Sequence, residues 1–312
     1  MIEVSHLTKR YGSILALDDL SFTIPGGQIY GLLGPNGAGK STTMNILTGC
    51  LAPSAGSVRI DGVDILEDPS GAKKHLGYLP EQPPLYMDRT PREYLRFVAR
   101  AKGVADVAGE MERVMELTQI GDVRDRLIRN LSKGYRQRVG IAQAILGDPD
   151  IIILDEPTVG LDPRQITEIR DLIQRLGQAR TVILSSHILG EVQAVCGTIL
   201  ILSKGRLVAC DTPENLQRLT SGTALELEVL GKKEAVLSAL KGLEYVQSTT
   251  LETTPGGRIQ VRLETGKESL EALSQAVFFR LAERKLPLLR MTPVKASLEE
   301  IFLELTEGKE EG

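Results

Sequence analysis

Gly34-Pro35-Asn36-Gly37-Ala38-Gly39-Lys40-Ser41-Thr42 matches G-x-x-x-x-G-K-[ST], the spacing of a phosphate-binding loop. That motif needs a strand before it and a helix after it. Gln28-Ile29-Tyr30-Gly31-Leu32-Leu33 is mostly apolar and reads as a buried strand. Ser41 to Gly49 holds no proline and reads as a helix stopped by Gly49. The glycines allow close backbone approach, and successive N–H groups at the positive end of the helix face the phosphates. Lys40 is placed to reach the β- and γ-phosphates, and the Ser41 hydroxyl to ligate Mg²⁺. A glycine-rich turn with a solvated lysine is the alternative, and the flanking strand and helix argue against it.

Composition narrows the class. The 312 residues leave room for one large domain or two. An apolar share of 42% suits ordinary globular cores. A net charge of −4 argues against a protein that grips nucleic acid through a basic face. Cys50, Cys196 and Cys210 lack metal-ligand spacing and read as small side chains in a reducing compartment. His6, His75 and His187 are too scattered for a metal cluster. No apolar run reaches the roughly 18 residues needed to span a bilayer. No signal-peptide pattern opens the chain. A cytoplasmic protein is expected, with any membrane spans supplied by another chain.

Taken in order, Ile2 to Ile24 reads as two or three strands. Ile60-Asp61-Gly62-Val63 marks a hairpin turn. Leu76-Gly77-Tyr78-Leu79 is a short strand running into the stiff loop Pro80-Glu81-Gln82-Pro83-Pro84. From Thr90 to about Gly147 the pattern turns helical. Pro91 opens one helix with Tyr94, Leu95, Phe97 and Val98, and Met111, Val114, Met115 and Leu117 mark a second. Both stripes are expected to pack into the core. Ile151 to Leu154 is apolar throughout, as in a parallel sheet covered on both faces. A helix over Arg164 to Gly177 and a strand at Thr181 to Leu184 follow. Ile199 to Leu202 and Arg206 to Val208 then flank a turn at Lys204-Gly205. Strands alternating with helices around a phosphate loop give an α/β class.

The composition shifts at Thr220-Ser221-Gly222-Thr223, dividing the chain into 1–220 and 221–312. The second part reads as a strand at Leu225 to Val229 and a helix from Lys232 to Leu240. Strands at Val246 to Thr253 and Arg258 to Leu263 pair across Pro255-Gly256-Gly257, before a helix from Ser269 to Lys285 and a strand at Leu288 to Thr292. This is β-α-β-β-α-β, the ferredoxin-like order. Ser297-Leu298-Glu299-Glu300 has the form of a capping box, and Glu307 to Gly312 a frayed end.

Asp155 and Glu156 close the strand Ile151–Leu154, where ligands sit in open α/β sheets. Asp155 suits a metal, directly or through water. Glu156 suits orienting and polarising an attacking water. Alone, the pair also fits capping acids after a core strand. Upstream stands Leu131-Ser132-Lys133-Gly134-Tyr135. With it, the chain from about Ile2 to Leu219 resembles the ATPase subunits of ABC transporters. Leu131 to Gly134 matches the core of their signature motif, and Gln82 their Q-loop. Val159-Gly160-Leu161-Asp162 matches the loop after the catalytic glutamate. His187, after Ser185-Ser186, matches the switch histidine, and Tyr11 the aromatic that stacks on adenine. Taken singly, His187, Tyr11 and Gln82 read as a strand-end polar residue, a half-buried tyrosine and a solvated loop residue. Their order gives them weight. Two departures stand out. The usual signature is Leu-Ser-Gly-Gly-Gln, with Lys133 and Tyr135 here at the third and fifth places. Val159-Gly160 stands where Ser-Ala is common. These variants, and an ending in Ser297-Leu298-Glu299-Glu300-Ile301-Phe302, are similar to the branch that drives ABC-2 type exporters.

The resemblance implies a P-loop ATPase domain with antiparallel β and helical subdomains, and a small α+β accessory or regulatory domain after it. It implies ATP held by Gly34 to Thr42 with Tyr11, Gln82, Ser132, Gly134 and Asp162. Mg²⁺ would sit on Ser41, Gln82 and Asp155, with Glu156 and His187 catalytic. A second copy would complete each site through Ser132 and Gly134, giving an ATP-sandwich dimer on the inner face of the membrane beside a separate ABC permease. Pro84-Leu85-Tyr86-Met87 would seat that permease, or simply pack. A soluble ABC-type ATPase acting on nucleic acid or ribosomes is the alternative. One ATPase unit, no heptads, no cysteine clusters and an acidic balance argue against it, and no nucleic-acid partner is expected.

Overall fold

The computed structural model describes residues 1–219, 222–254, 257–266, 270–295 and 298–307. Two long strands open the chain, β1 (Ile2–Tyr11) and β2 (Ile14–Ile24), followed by β3 (Ile29–Leu33) and α1 (Lys40–Leu47). β4 (Ala55–Ile60) and β5 (Val63–Asp64) form the expected hairpin, with Ile60 opposite Val63. Next come α2 (Pro69–Lys74), β6 (Leu76–Leu79) and the helices α3 (Pro91–Ala101), α4 (Val107–Leu117) and α5 (Lys133–Ile145). After these stand β7 (Ile151–Leu154), α6 (Pro163–Gly177), β8 (Thr181–Ser186), α7 (Leu189–Val195), β9 (Thr198–Ser203) and β10 (Arg206–Asp211). Packing groups Met1–Pro213 with the described residues 304–307, and separately Glu214–Leu303.

The first unit holds two sheets. One is antiparallel, in the order β2-β1-β4-β5. The other runs β10-β9-β3-β8-β7-β6, parallel except where β10 pairs with β9. β3, β7 and β8 are buried at every position, which is why β7 and the Val182–Leu184 stretch of β8 are apolar without alternation. Leu33 pairs with Ser186, and Leu154 with Leu184. Parallel register therefore delivers the phosphate loop, Asp155-Glu156 and His187 side by side at one edge of the sheet.

Helix α3 starts where the sequence predicts. Thr90 accepts from the Glu93 N–H, and the Glu93 carboxylate accepts from the Thr90 N–H. Tyr94 and Leu95 are buried, but Phe97 is 53% exposed, contrary to the expected all-core stripe. Two residues beyond Leu95 is about 200° around a helix, so Phe97 turns outward and meets Tyr86, ring centroids 5.6 Å apart. Helix α5 is fixed at both ends. The Ser132 side chain accepts from the Tyr135 N–H at its start. At its end, Lys102 Nζ donates to the carbonyls of Gln143, Ala144 and Leu146 at 3.0, 3.1 and 2.8 Å.

In the rest of the chain stand α8 (Pro213–Leu219), β11 (Gly222–Leu230), α9 (Lys233–Leu240), β12 (Ser248–Thr254), β13 (Arg258–Gly266), α10 (Leu270–Glu283), β14 (Leu288–Lys295) and α11 (Leu298–Glu307). The sheet order is β12-β13-β11-β14, all antiparallel, as the ferredoxin-like order requires. Leu225, Leu227 and Val229 alternate into a core with Val236, Leu240, Leu273, Val277 and Leu281. The boundary residues Thr220-Ser221, the turn residues Pro255-Gly256, the helix start at Ser269, the cap at Ser297 and the end from 308 on lie outside the described residues.

Lys102→Met keeps the aliphatic stem and removes three donors from the end of α5. It should lower stability by roughly 1 kcal/mol, read as a lower urea midpoint at unchanged slope.

Candidate active site

The phosphate loop turns from β3 into α1 through Gly39 at φ +102°. A Cβ there would stand 2.6 Å from Leu17 Cδ2 and 2.8 Å from the Ala16 carbonyl oxygen, so both conformation and space demand glycine. The turn aims the first N–H groups of α1 into an open cleft. That cleft is lined by Asn36, Gly37, Gly39, Lys40, Ser41, Thr42, Glu81, Glu156, Val159 and His187, with Ala16 from β2.

Opposite charges meet at its floor. Lys40, Asp155 and Glu156 are only 6%, 2% and 8% exposed. Lys40 Nζ donates to the carbonyls of Gly34 and Pro35 at 2.8 and 3.2 Å, and stands 3.7 Å from Glu156 Oε1. Burial depresses the Lys40 ammonium below the ordinary lysine range, with Glu156 and Asp155 pulling it back. Burial likewise raises the Asp155 carboxyl, opposed by hydroxyl hydrogen bonds from Ser185 and Ser41. Glu156 sits at φ +48°, a left-handed turn straight after β7 that is uncommon outside glycine and asparagine. This turn swings its carboxylate toward His187, whose Nδ1 lies 3.0 Å from Oε2 and 3.1 Å from Oε1. The carboxylate only accepts here, so Nδ1 carries the proton in this contact.

Two residues beyond the motif positions complete the floor. Ser185 Oγ donates to Asp155 Oδ1 at 2.5 Å and accepts from the Glu156 N–H at 2.9 Å. Glu81 adds a carboxylate to the cleft wall. Sequence reading singled out neither one. Ser185 entered only as a neighbour of His187, and Glu81 stands beside Gln82, the residue the pattern favoured.

The other expected residues sit elsewhere. Gln82 is exposed and does not line this cleft, whereas its neighbour Glu81 does. Tyr11 ends β1 with its ring exposed, and Lys9 Nζ lies 5.3 Å from its centroid. Ser132, Gly134 and Asp162 line a second, separate cleft with Tyr135, Arg138 and Gln165. There Asp162 caps α6, accepting from the Gln165 N–H at 2.9 Å. The two departures from the common motifs are neighbours. A Cβ on Gly160, at φ +67°, would stand 2.3 Å from Lys133 Nζ, so the lysine occupies the space that a larger residue would need.

Hard oxygen donors suit Mg²⁺, and the Ser41 hydroxyl lies close enough to Asp155 to favour its charged form. The pair fits that ion; Gln82, facing outward, does not join it here. Among the described residues, one other group of ligand-type side chains, Asp61, His75 and Asp150, brings its atoms within 4.8 Å. His75 Nδ1 is engaged with Asp150 there at 2.9 Å. No helix among the described residues is long and apolar enough to cross a membrane.

Known proteins share this arrangement. Residues 17–159 match the family model "ABC transporter". The chain is 36% identical to the uncharacterized ABC transporter ATP-binding protein YhcH of Bacillus subtilis (strain 168), across 100% of this chain and 98% of that one. It is 32% identical to the daunorubicin/doxorubicin resistance ATP-binding protein DrrA of Streptomyces peucetius, across 98% and 92%. A solved dimeric structure of MJ0796, a bacterial ABC transporter cassette, superposes with a TM-score of 0.63 at 27% identity, covering 68% of this chain and 98% of that one. A phosphate loop and two strand-end acids at one sheet edge, with similarity running the length of the chain, establish that the protein belongs to the ATP-binding ATPase subunits of the ABC transporter family.

Proposed function

We propose that this chain hydrolyses ATP between two copies of itself and thereby drives an ABC-2 type exporter whose permease is a separate chain. The observation that carries the reading is the convergence of Lys40, Asp155, Glu156 and His187 at the ends of β3, β7 and β8. The α1 N–H groups and Lys40 bind the phosphates. Ser41 and Asp155 would hold Mg²⁺, which would supply positive charge against the phosphates. Glu156 accepts a proton from the attacking water. His187 donates through Nδ1 to Glu156, fixing its carboxylate, and presents its other ring nitrogen to the cleft. Catalysis on this reading is positioning and charge stabilisation.

One chain does not finish the site. Ser132 and Gly134 open a cleft of their own at the start of α5, away from the phosphate loop. The helix N-terminus there favours negative charge, and a second copy can bring it over the γ-phosphate. That MJ0796 was solved as a dimer supports this arrangement. The exporter assignment draws on a 32% likeness to the Nod factor export ATP-binding protein I of Ralstonia nicotianae, which covers 99% of this chain and so extends past the family-model segment. Tyr86, Met87 and Phe97, exposed by 47%, 44% and 53%, form an apolar patch for a permease helix, with Tyr86 also packed edge-on against Tyr94. A peripheral place on the inner membrane face follows from that partner. Residues 221–312 would act as an accessory domain, since the charged groups along its sheet pair among themselves, as in Arg258–Glu228 and Arg262–Glu226.

Glu156→Gln should cut ATP turnover by about 10²- to 10⁴-fold while leaving ATP binding intact. Light scattering should then give a doubled mass with ATP and not with ADP. A monomer with both, in the presence of Mg²⁺, would count against closure around nucleotide.

Asp155→Asn tests the electrostatics. A carboxyl whose folded value is raised is most favourable below its ordinary titration range, and that contribution is lost as pH rises through the folded value. Removing this buried carboxyl should therefore relieve the nucleotide-free protein at neutral pH. The asparagine variant should melt at a higher temperature at pH 7, with the gain shrinking toward acid pH, and should lose Mg²⁺-dependent ATP binding. A lower melting temperature at pH 7 would refute this account.

A further inference from the structure

Glu156 and His187 leave different strands, β7 and β8, and each sits on its own loop. Their 3.0 Å contact needs something that holds the two loops in register. Pairing between β7 and β8 ends at Leu154 and Leu184, Ser186 pairs with Leu33 of β3, and Ser185 accepts the Glu156 N–H, yet none of these contacts reaches the loop beyond Glu156.

A third carboxylate occupies that place. Glu191, in the first turn of α7, is buried. Its Oε2 accepts the Thr158 hydroxyl at 2.5 Å and the Ser186 hydroxyl at 3.1 Å. Thr158 lies two residues after Glu156, and Ser186 immediately before His187. Thr158 and Ser186 are themselves buried, and Ser186 Oγ also accepts from the Ile188 N–H at 3.0 Å. One carboxylate oxygen thus ties the loop after β7 to the last residue of β8, immediately before His187. Among the described residues no lysine, arginine or histidine forms an ion pair with it. Burying a carboxylate on hydroxyl donors alone is costly, so a core position with no further task would favour an apolar side chain.

We infer that Glu191 is a positioning residue for ATP hydrolysis, setting the Glu156–His187 contact through Thr158 and Ser186. It touches neither substrate nor the reacting atoms. The inference rests on the proposed roles of Glu156 and His187, but its geometric part can be tested without turnover.

Three substitutions separate the cases. Thr158→Val keeps the shape of the threonine and removes its donor. Glu191→Ala removes the acceptor. Glu191→Gln keeps one oxygen that can accept both hydroxyls. Thr158→Val and Glu191→Ala should lower kcat by about 10- to 100-fold with KM for ATP changed by less than about threefold, the mark of lost alignment. The double variant should be no worse than the poorer single one, because both break the same tie. Glu191→Gln should restore kcat to within about threefold of the parent. The ring ¹⁵N shifts of His187, one of three histidines in the chain, should move in Thr158→Val and return in Glu191→Gln.

Should Glu191→Ala melt below the assay temperature, Thr158→Val and Glu191→Gln carry the test. A folded Thr158→Val with parental kcat and unshifted His187 resonances would overturn the inference. Shifted resonances without a change in kcat would keep the tie and instead sink the assignment of Glu156 and His187 to the chemistry.

Discussion

The structure turns on placing one cation and two carboxylates out of water at the same sheet edge. Lys40, Asp155 and Glu156 are almost fully buried, and burial opposes the charged form of both Lys40 and Asp155. Two charges 3.7 Å apart attract strongly in a low-dielectric interior, yet removing them from water costs about as much. The fold must therefore hold them by geometry, and the parallel sheet does so. Its strands β3, β7 and β8 are buried at every position and paired in parallel register, which fixes where their C-terminal ends stand. A rigid sheet is what allows an electrostatically unfavourable edge to persist, ready for a ligand that brings its own charges.

Local backbone strain points the same way. Glu156 takes a left-handed conformation that a glutamate adopts only when its surroundings dictate it. Three contacts dictate it: its N–H on Ser185, its carboxylate on His187, and Lys40 nearby. None stabilises the chain as an apolar side chain would. Together they fix one carboxylate in one direction, which is what activation of a water requires and what stability alone would not select.

How much of this the sequence revealed depends on the range of the interaction. The phosphate loop was legible because its chemistry is local: strand, glycines, lysine and helix lie within about twenty residues. The buried strands were legible because a sheet covered on both faces leaves an unmistakable apolar run. The β-α-β-β-α-β order of the C-terminal unit was legible from alternation, as Leu225, Leu227 and Val229 confirm. Ser185, Glu81 and Glu191 were not. Each matters through a partner that the register brings from far along the chain, such as Thr158 and Glu191, and serine or glutamate beside a strand carries no pattern of its own. Phe97 misled for the opposite reason: its apolar character matched the stripe, while its angle around α3 turned it outward.

The separation of the two clefts has a thermodynamic consequence. The phosphate loop and the start of α5 each present N–H groups favourable to an anion, yet they open in different places on the unit. A nucleotide bound to the first gains nothing from the second within one chain. Both can act on one γ-phosphate only if a second chain closes over it, so the free energy of that contact becomes free energy of association. In the proposed dimer, loss of the γ-phosphate would then remove the term holding the copies together. An ATPase built this way converts a bond-breaking step into a change of subunit contact without any long-range conformational relay. Tyr86 of the apolar patch stands on the loop that begins beside Glu81 in the cleft wall, a few residues along the chain, and Phe97 joins it from α3.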